Sequence, residues 1–162
     1  VDPDYLRNLA AARKAGLYVG SYHFYTTDQT AQSQFDNITT HLDLKPGDLP
    51  LVVDIEILSK NTLPDLAAEL KTFLGLIEKK YGIKPIVYSG ENFANEHLKG
   101  FADHPLWLAE YTNAQQPKLP LDWQRWTFWQ HTQDGRVAGV NGAVDLDRFN
   151  GGEEQLKELL VD

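Results

Sequence analysis

Apolar positions along the chain recur with two different periods, and stretches of the two kinds alternate. Tyr5, Leu6, Leu9 and Ala12 fall at helical spacing over residues 4–15, with Asp2 as the expected N-cap, Pro3 at the first helical position and Gly16 as the stop. Residues 17–24 (LYVGSYHF) are rich in β-branched and aromatic side chains and predict a strand. Ala31, Phe35, Ile38 and Leu42 return to helical spacing over residues 26–44, and the Lys-Pro-Gly-Asp run at 45–48 predicts a turn. Residues 51–56 (LVVDIE) then form a short apolar run that ends in two acids, the pattern of a buried strand.

After a polar loop at 59–64, Leu66, Leu70, Phe73, Leu74 and Ile77 mark one face of a long helix that ends near Gly82. Residues 85–89 (PIVYS) and 105–110 (PLWLAE) predict strands on either side of a short helix at 91–98. Residues 113–122 are proline-rich and predict a loop. Residues 125–131 (RWTFWQH) predict a strand, Asp134-Gly135 a turn and 136–140 its hairpin partner; 142–149 hold a last strand and 151–160 a last amphipathic helix. Strands and helices alternating through the first two thirds predict parallel βα units, and the last third reads as antiparallel. No repeat or interdomain linker interrupts this order, so residues 1–162 are read as a single domain.

Charge and composition narrow the function. The net charge of −8 comes with no basic patch, which argues against a nucleic-acid partner. No apolar run is long enough to span a bilayer, so no membrane partner is expected. There is no Cys, which removes disulfides, zinc–thiolate sites and cysteine nucleophiles together. The His residues show no zinc-ligand spacing, and no phosphate loop or G-x-S-x-G nucleophile motif is present. There is also no Met, so the sequence is expected to be a processed product or part of a longer chain.

Functional residues of parallel α/β folds sit at the carboxyl ends of strands. Here those ends carry Tyr22 and His23, Asp54 and Glu56, Tyr88 and Ser89, Glu110 and Tyr111, Gln130 and His131, then Asp145 and Asp147. A cleft lined by carboxylates, Tyr and Trp suits a sugar. Aromatic faces pack on the apolar side of a pyranose, while acids and amides bond its hydroxyls. Asp54 and Glu56 would share one strand face, roughly 6–7 Å apart. Two close carboxyls do not both ionise easily, so one stays protonated and is available as a general acid for glycoside hydrolysis. Structural capping is the competing reading for Asp54-x-Glu56, and backbone bonding in a turn for Asp145-x-Asp147. His23 and His131 read as structural hydrogen-bonding residues, and Trp107, Trp126 and Trp129 as core residues by default.

The stretches 1–24, 49–56 (LPLVVDIE), 84–90 (KPIVYSG), 105–111 (PLWLAEY) and 125–151 resemble, in order and spacing, the glycoside hydrolase family 25 lysozymes, the Chalaropsis-type or phage-type muramidases. The resemblance spans nearly the whole chain. It implies an α/β fold of the irregular TIM-like (β/α) barrel type. It implies hydrolysis of the β-1,4 bond between N-acetylmuramic acid and N-acetylglucosamine in peptidoglycan, extracellularly or at the cell wall, with no metal or organic cofactor. Carried over by position, Glu56 matches the general acid and Asp54 the carboxylate that assists at the anomeric centre or orients the N-acetyl group. Asp145 matches a carboxylate at the rim of the site. Tyr22, Tyr88, Trp107, Tyr111 and Gln130 match positions lining the glycan groove.

The family's opening strands, one with a D-x-S motif and one ending in T-E-G, have no counterpart before Val1. A truncated homologue or fragment is the favoured expectation. A degenerate, inactive relative and strands supplied by another chain are the alternatives, and open barrel edges would favour self-association. Two other functions remain as alternatives. One is a non-catalytic glycan-binding module. The other is a hydrolase holding a hard cation between Asp54, Glu56, Asp145 and Asp147.

Overall fold

The computed structural model describes all residues from Val1 to Asp162. Its centre is one six-stranded sheet in sequence order: β1 (Tyr22–Phe24), β2 (Val52–Asp54), β3 (Ile86–Gly90), β4 (Leu106–Ala109), β5 (Phe128–Gly135) and β6 (Val144–Phe149). The first four pairings are parallel and the last antiparallel. The predicted βα alternation therefore produces a parallel sheet, with an antiparallel hairpin closing the series. Strands β1 and β6 do not pair with each other, so the sheet is an open part of a barrel.

The helices are α1 (Tyr5–Lys14), α2 (Ala31–His41), α3 (Leu66–Tyr81), α4 (Glu91–His97) and α5 (Glu153–Lys157). Leu70, Phe73, Leu74 and Ile77 of α3, with Ala31 and Ile38 of α2, pack on one sheet face against Val53, Val87, Leu106, Leu108 and Trp129. The opposite face carries a smaller apolar layer of Val52, Ile86 and Phe128, covered by Leu49, Leu156 and Leu159. The two faces follow from strand alternation: neighbours such as Ile86 and Val87 enter different cores. Asp65 caps α3 by accepting from Ala68 N at 3.0 Å. Gly82 ends the helix at φ 73°, a left-handed position that costs glycine little. No helix is long and apolar enough to cross a membrane.

Several local boundaries depart from the sequence reading: β2 is only Val52–Asp54, β5 starts at Phe128, α5 is only Glu153–Lys157, and four further departures have a visible cause. Only Tyr22–Phe24 of the run 17–24 is regular strand, because that run pairs on one side alone. Val19 and Ser21 still offer their carbonyls to Leu49 N and Val52 N at 2.7 and 2.9 Å. Helix α2 starts at Ala31, since buried Gln34 holds the preceding residues as a loop through Thr26 N, Thr26 O and Gln29 O. Helix α1 starts at Tyr5, and Asp2 Oδ1 instead accepts from Asp4 N at 2.8 Å. Finally, Asp134-Gly135 is not the hairpin turn. Strand β5 continues through Gly135, which pairs with Val144, and shifts in register absorb the extra residues.

Candidate active site

The register places the predicted residues in layers on the sheet face away from α2 and α3. Phe24, Asp54, Tyr88, Trp107, Phe128 and Phe149 are successive cross-strand partners and form one row. Gly90, Ala109, Gln130 and Asp147 form the next row toward the carboxyl ends, and Glu56 lies beyond the end of β2 on that side. Tyr22 pairs with Val52, one layer below Asp54. It is 73% exposed and stands apart from the carboxylate pair. Phe24 occupies the β1 position level with Asp54; strand alternation puts it on the same face as Tyr22, and only the register with β2 decides which of the two is level.

Hydrogen bonds lock the aromatic wall. Tyr88 and Tyr111 both donate their hydroxyls to Gln130 Oε1, at 2.7 and 2.9 Å. With its oxygen held twice, the buried Gln130 amide has a fixed orientation. Trp107 stacks on Phe128 with ring centroids 4.7 Å apart, and its Nε1 donates to Asp147 Oδ1 at 2.7 Å. From sequence Asp147 reads as a turn acid. Its role as the indole's anchor depends on a pairing across two strands that spacing along the chain does not reveal. Asp145 sits two residues earlier on the same face of β6 and is exposed.

The electrostatic centre is Asp54. Burial, and then the negative charge of Glu56, push its carboxyl from the ordinary 3.8 up to about 7. Asp54 Oδ1 is buried with no hydrogen-bond partner, whereas Glu56 is exposed. The sequence-level idea that one of two neighbouring acids keeps its proton thus lands on Asp54 in the substrate-free protein. Asp147 is also raised, chiefly by burial. Tyr88 is raised as well, by burial first and then by Glu56. His23 is held by Gln34 Oε1 at 3.0 Å on the other face of β1, away from this cluster. No three His or carboxylate side chains converge to hold a metal ion, so Asp54, Glu56, Asp145 and Asp147 do not form a four-acid cation site.

This arrangement has the parts of a sugar cleft: a desolvated carboxyl beside an exposed one, a fixed amide and an indole clamped at its edge. The sequence model of Glycosyl hydrolases family 25 matches residues 1–140. Protein YegX of Escherichia coli O157:H7 is 37% identical over 161 residues, covering 99% of this chain and 58% of YegX. The chain therefore spans little more than half the length of that curated relative. Among solved structures, the bacterial lysozyme of Streptomyces coelicolor superposes with a TM-score of 0.89 at 26% identity, covering 98% of this chain and 79% of the lysozyme. A family 25 glycosyl hydrolase of Bacillus anthracis gives 0.85 at 29% identity, covering 98% and 76%.

Proposed function

Because the chain belongs to glycosyl hydrolases family 25, we propose that it is a peptidoglycan hydrolase that cleaves between N-acetylmuramic acid and N-acetylglucosamine. Residues 1–162 act in this reading as one catalytic domain working on the cell wall, outside the cytoplasm. The observation that carries it is the Asp54–Glu56 pair: a partly buried carboxyl with an unpartnered oxygen, next to an exposed carboxyl at the carboxyl end of β2.

Glu56 is the general acid and Asp54 its helper. In the free protein the proton held by the pair resides on Asp54, where burial penalises the anion most. An acetamide N–H of the sugar bonded to the accessible oxygen of the Asp54 carboxyl favours its anion. Glu56, which faces the open cleft, delivers a proton to the leaving oxygen. The acetamide oxygen, oriented by Asp54, attacks the anomeric carbon, or water does so directly. Trp107 and Tyr88 form the wall against which the ring packs, Tyr111 and Gln130 bond its hydroxyls, and Asp145 lies at the rim. Tyr22, one layer below, contacts glycan only at the cleft's far end.

The test is release of reducing ends and clearing of purified peptidoglycan by the wild-type chain and by Glu56→Gln. Loss of at least about a hundredfold in rate is expected for removal of a general acid. Equal clearing by both proteins removes Glu56 from the role. Binding to wall fragments without new reducing ends from the wild type would favour a catalytically impaired glycan-binding module.

A further inference from the structure

A cavity of about 480 Å³ lies on the other side of the β5–β6 hairpin from the acid pair, lined by Tyr111, Asn113, Trp129, His131, Thr132 and Arg148 among others. Tyr111 is common to both places: it lines this cavity, and its hydroxyl bonds Gln130 in the cleft. Strand alternation explains the separation. Asp145, Asp147 and Phe149 point to the cleft, so Arg148 points away, opposite Trp129 in the antiparallel register. The Arg148 Cζ lies 5.2 Å from the Trp129 ring centroid. The His131 ring stands 5.7 Å from the same indole.

Three features give this cavity a chemistry unlike that of the cleft. No carboxylate lines it, in a chain of net charge −8. The Arg148 guanidinium takes part in none of the salt bridges. Thr132 Oγ1 accepts from Asp134 N, which leaves its O–H free to donate. The cavity therefore gathers donors around one stacked, unpaired guanidinium. Asp134 and Asp147 lie nearby and oppose an anion, so recognition has to come from the directed fork of Arg148 and not from the general field.

We propose that this cavity is a subsite for a carboxylate carried by the glycan, reached past Tyr111 when the sugar chain occupies the cleft. The inference rests on the peptidoglycan reading above. Peptidoglycan supplies carboxylates from two sources, the peptide branches and the lactyl group of N-acetylmuramic acid, and a glycan of N-acetylglucosamine alone supplies none. Arg148 stacked on Trp129 is already oriented, so little rotamer entropy is lost on binding.

The experiment measures calorimetric binding to Glu56→Gln protein, which does not consume its ligand, with and without Arg148→Gln. Three probes are used: peptide-bearing disaccharide repeats, the same repeats stripped of peptide, and N-acetylglucosamine oligomers. Arg148→Gln is expected to weaken carboxylate-bearing probes by about tenfold or more and to leave the N-acetylglucosamine oligomers unchanged. Arg148→Lys, which keeps the charge and loses the fork, should fall between. Weakening confined to the peptide-bearing probe assigns the peptide carboxylate. Weakening of both muramic acid probes assigns the lactyl group. Equal losses on all three probes, or none on any, overturn the subsite, because a purely structural Arg148–Trp129 contact predicts no discrimination. Failure of the parent protein to bind any probe would instead sink the peptidoglycan reading itself.

Discussion

Replacing Asp54 with asparagine should make the protein more resistant to unfolding as pH rises. The folded state holds this carboxyl at about 7 against an ordinary 3.8. Between those values the unfolded chain has released the proton and the folded one retains it. Stability therefore falls with rising pH, the reverse of the usual carboxylate contribution. A shift of this size corresponds to about 4 kcal/mol if fully desolvated. Because the carboxyl is only partly buried, solvent screening reduces this to about 2 kcal/mol. The asparagine side chain keeps the shape of the aspartate and cannot titrate. Urea unfolding of wild type and Asp54→Asn from about pH 4 to about pH 8 should show the difference (variant minus wild type) growing by about 2 kcal/mol. Titrating groups that are not coupled to Asp54 cancel in that difference. A difference that stays flat across the range would refute the claim that Asp54 is held neutral by burial. Repeating the comparison in a Glu56→Gln background should flatten the slope only in part, since the charge of Glu56 is the second cause and burial the first.

Other outcomes follow from single contacts. Asp147→Ala removes the acceptor of the Trp107 indole; KM for glycan should rise about tenfold with a smaller change in kcat, and tryptophan emission should shift. Gly135→Ala brings a Cβ within 2.7 Å of the Val144 carbonyl and against Leu146, so thermal unfolding should show a loss of about 1–3 kcal/mol. Arg13 joins α1 to the 43–48 loop through Asp43 and the buried Asp48, whose carboxylate raises the guanidinium pKa. Asp48→Ala leaves that guanidinium half paired and should cost about 3 kcal/mol in urea unfolding; an unchanged midpoint would mean the pair contributes nothing.

Much of the site's chemistry is written locally. Residues 51–56 show an apolar strand ending in two acids whatever surrounds them, because alternation and burial act over a few residues. The same holds for α3, whose face, cap and glycine stop lie within one stretch. The βα alternation predicts a parallel sheet because a parallel pair needs a crossover, and the helices provide it. What chain order leaves undecided depends on the register between distant strands. Nothing local shows that Phe24, and not Tyr22, stands level with Asp54, or that Asp147 reaches Trp107 forty positions away. The hairpin partner of β5 is misplaced in a local reading because Gly135 looks like a turn residue, and only its close approach to Leu146 shows why a strand needs glycine there. Asp54 and Glu56 are alike in sequence. Packing buries one and exposes the other, and the cost of desolvating a charge decides which of them holds the proton. Sequence alone determined which groups are candidates for the chemistry, since side-chain identity and strand period are local properties. Tertiary structure alone decided which of them is desolvated and which neighbours each meets, since dielectric and distance belong to the folded whole.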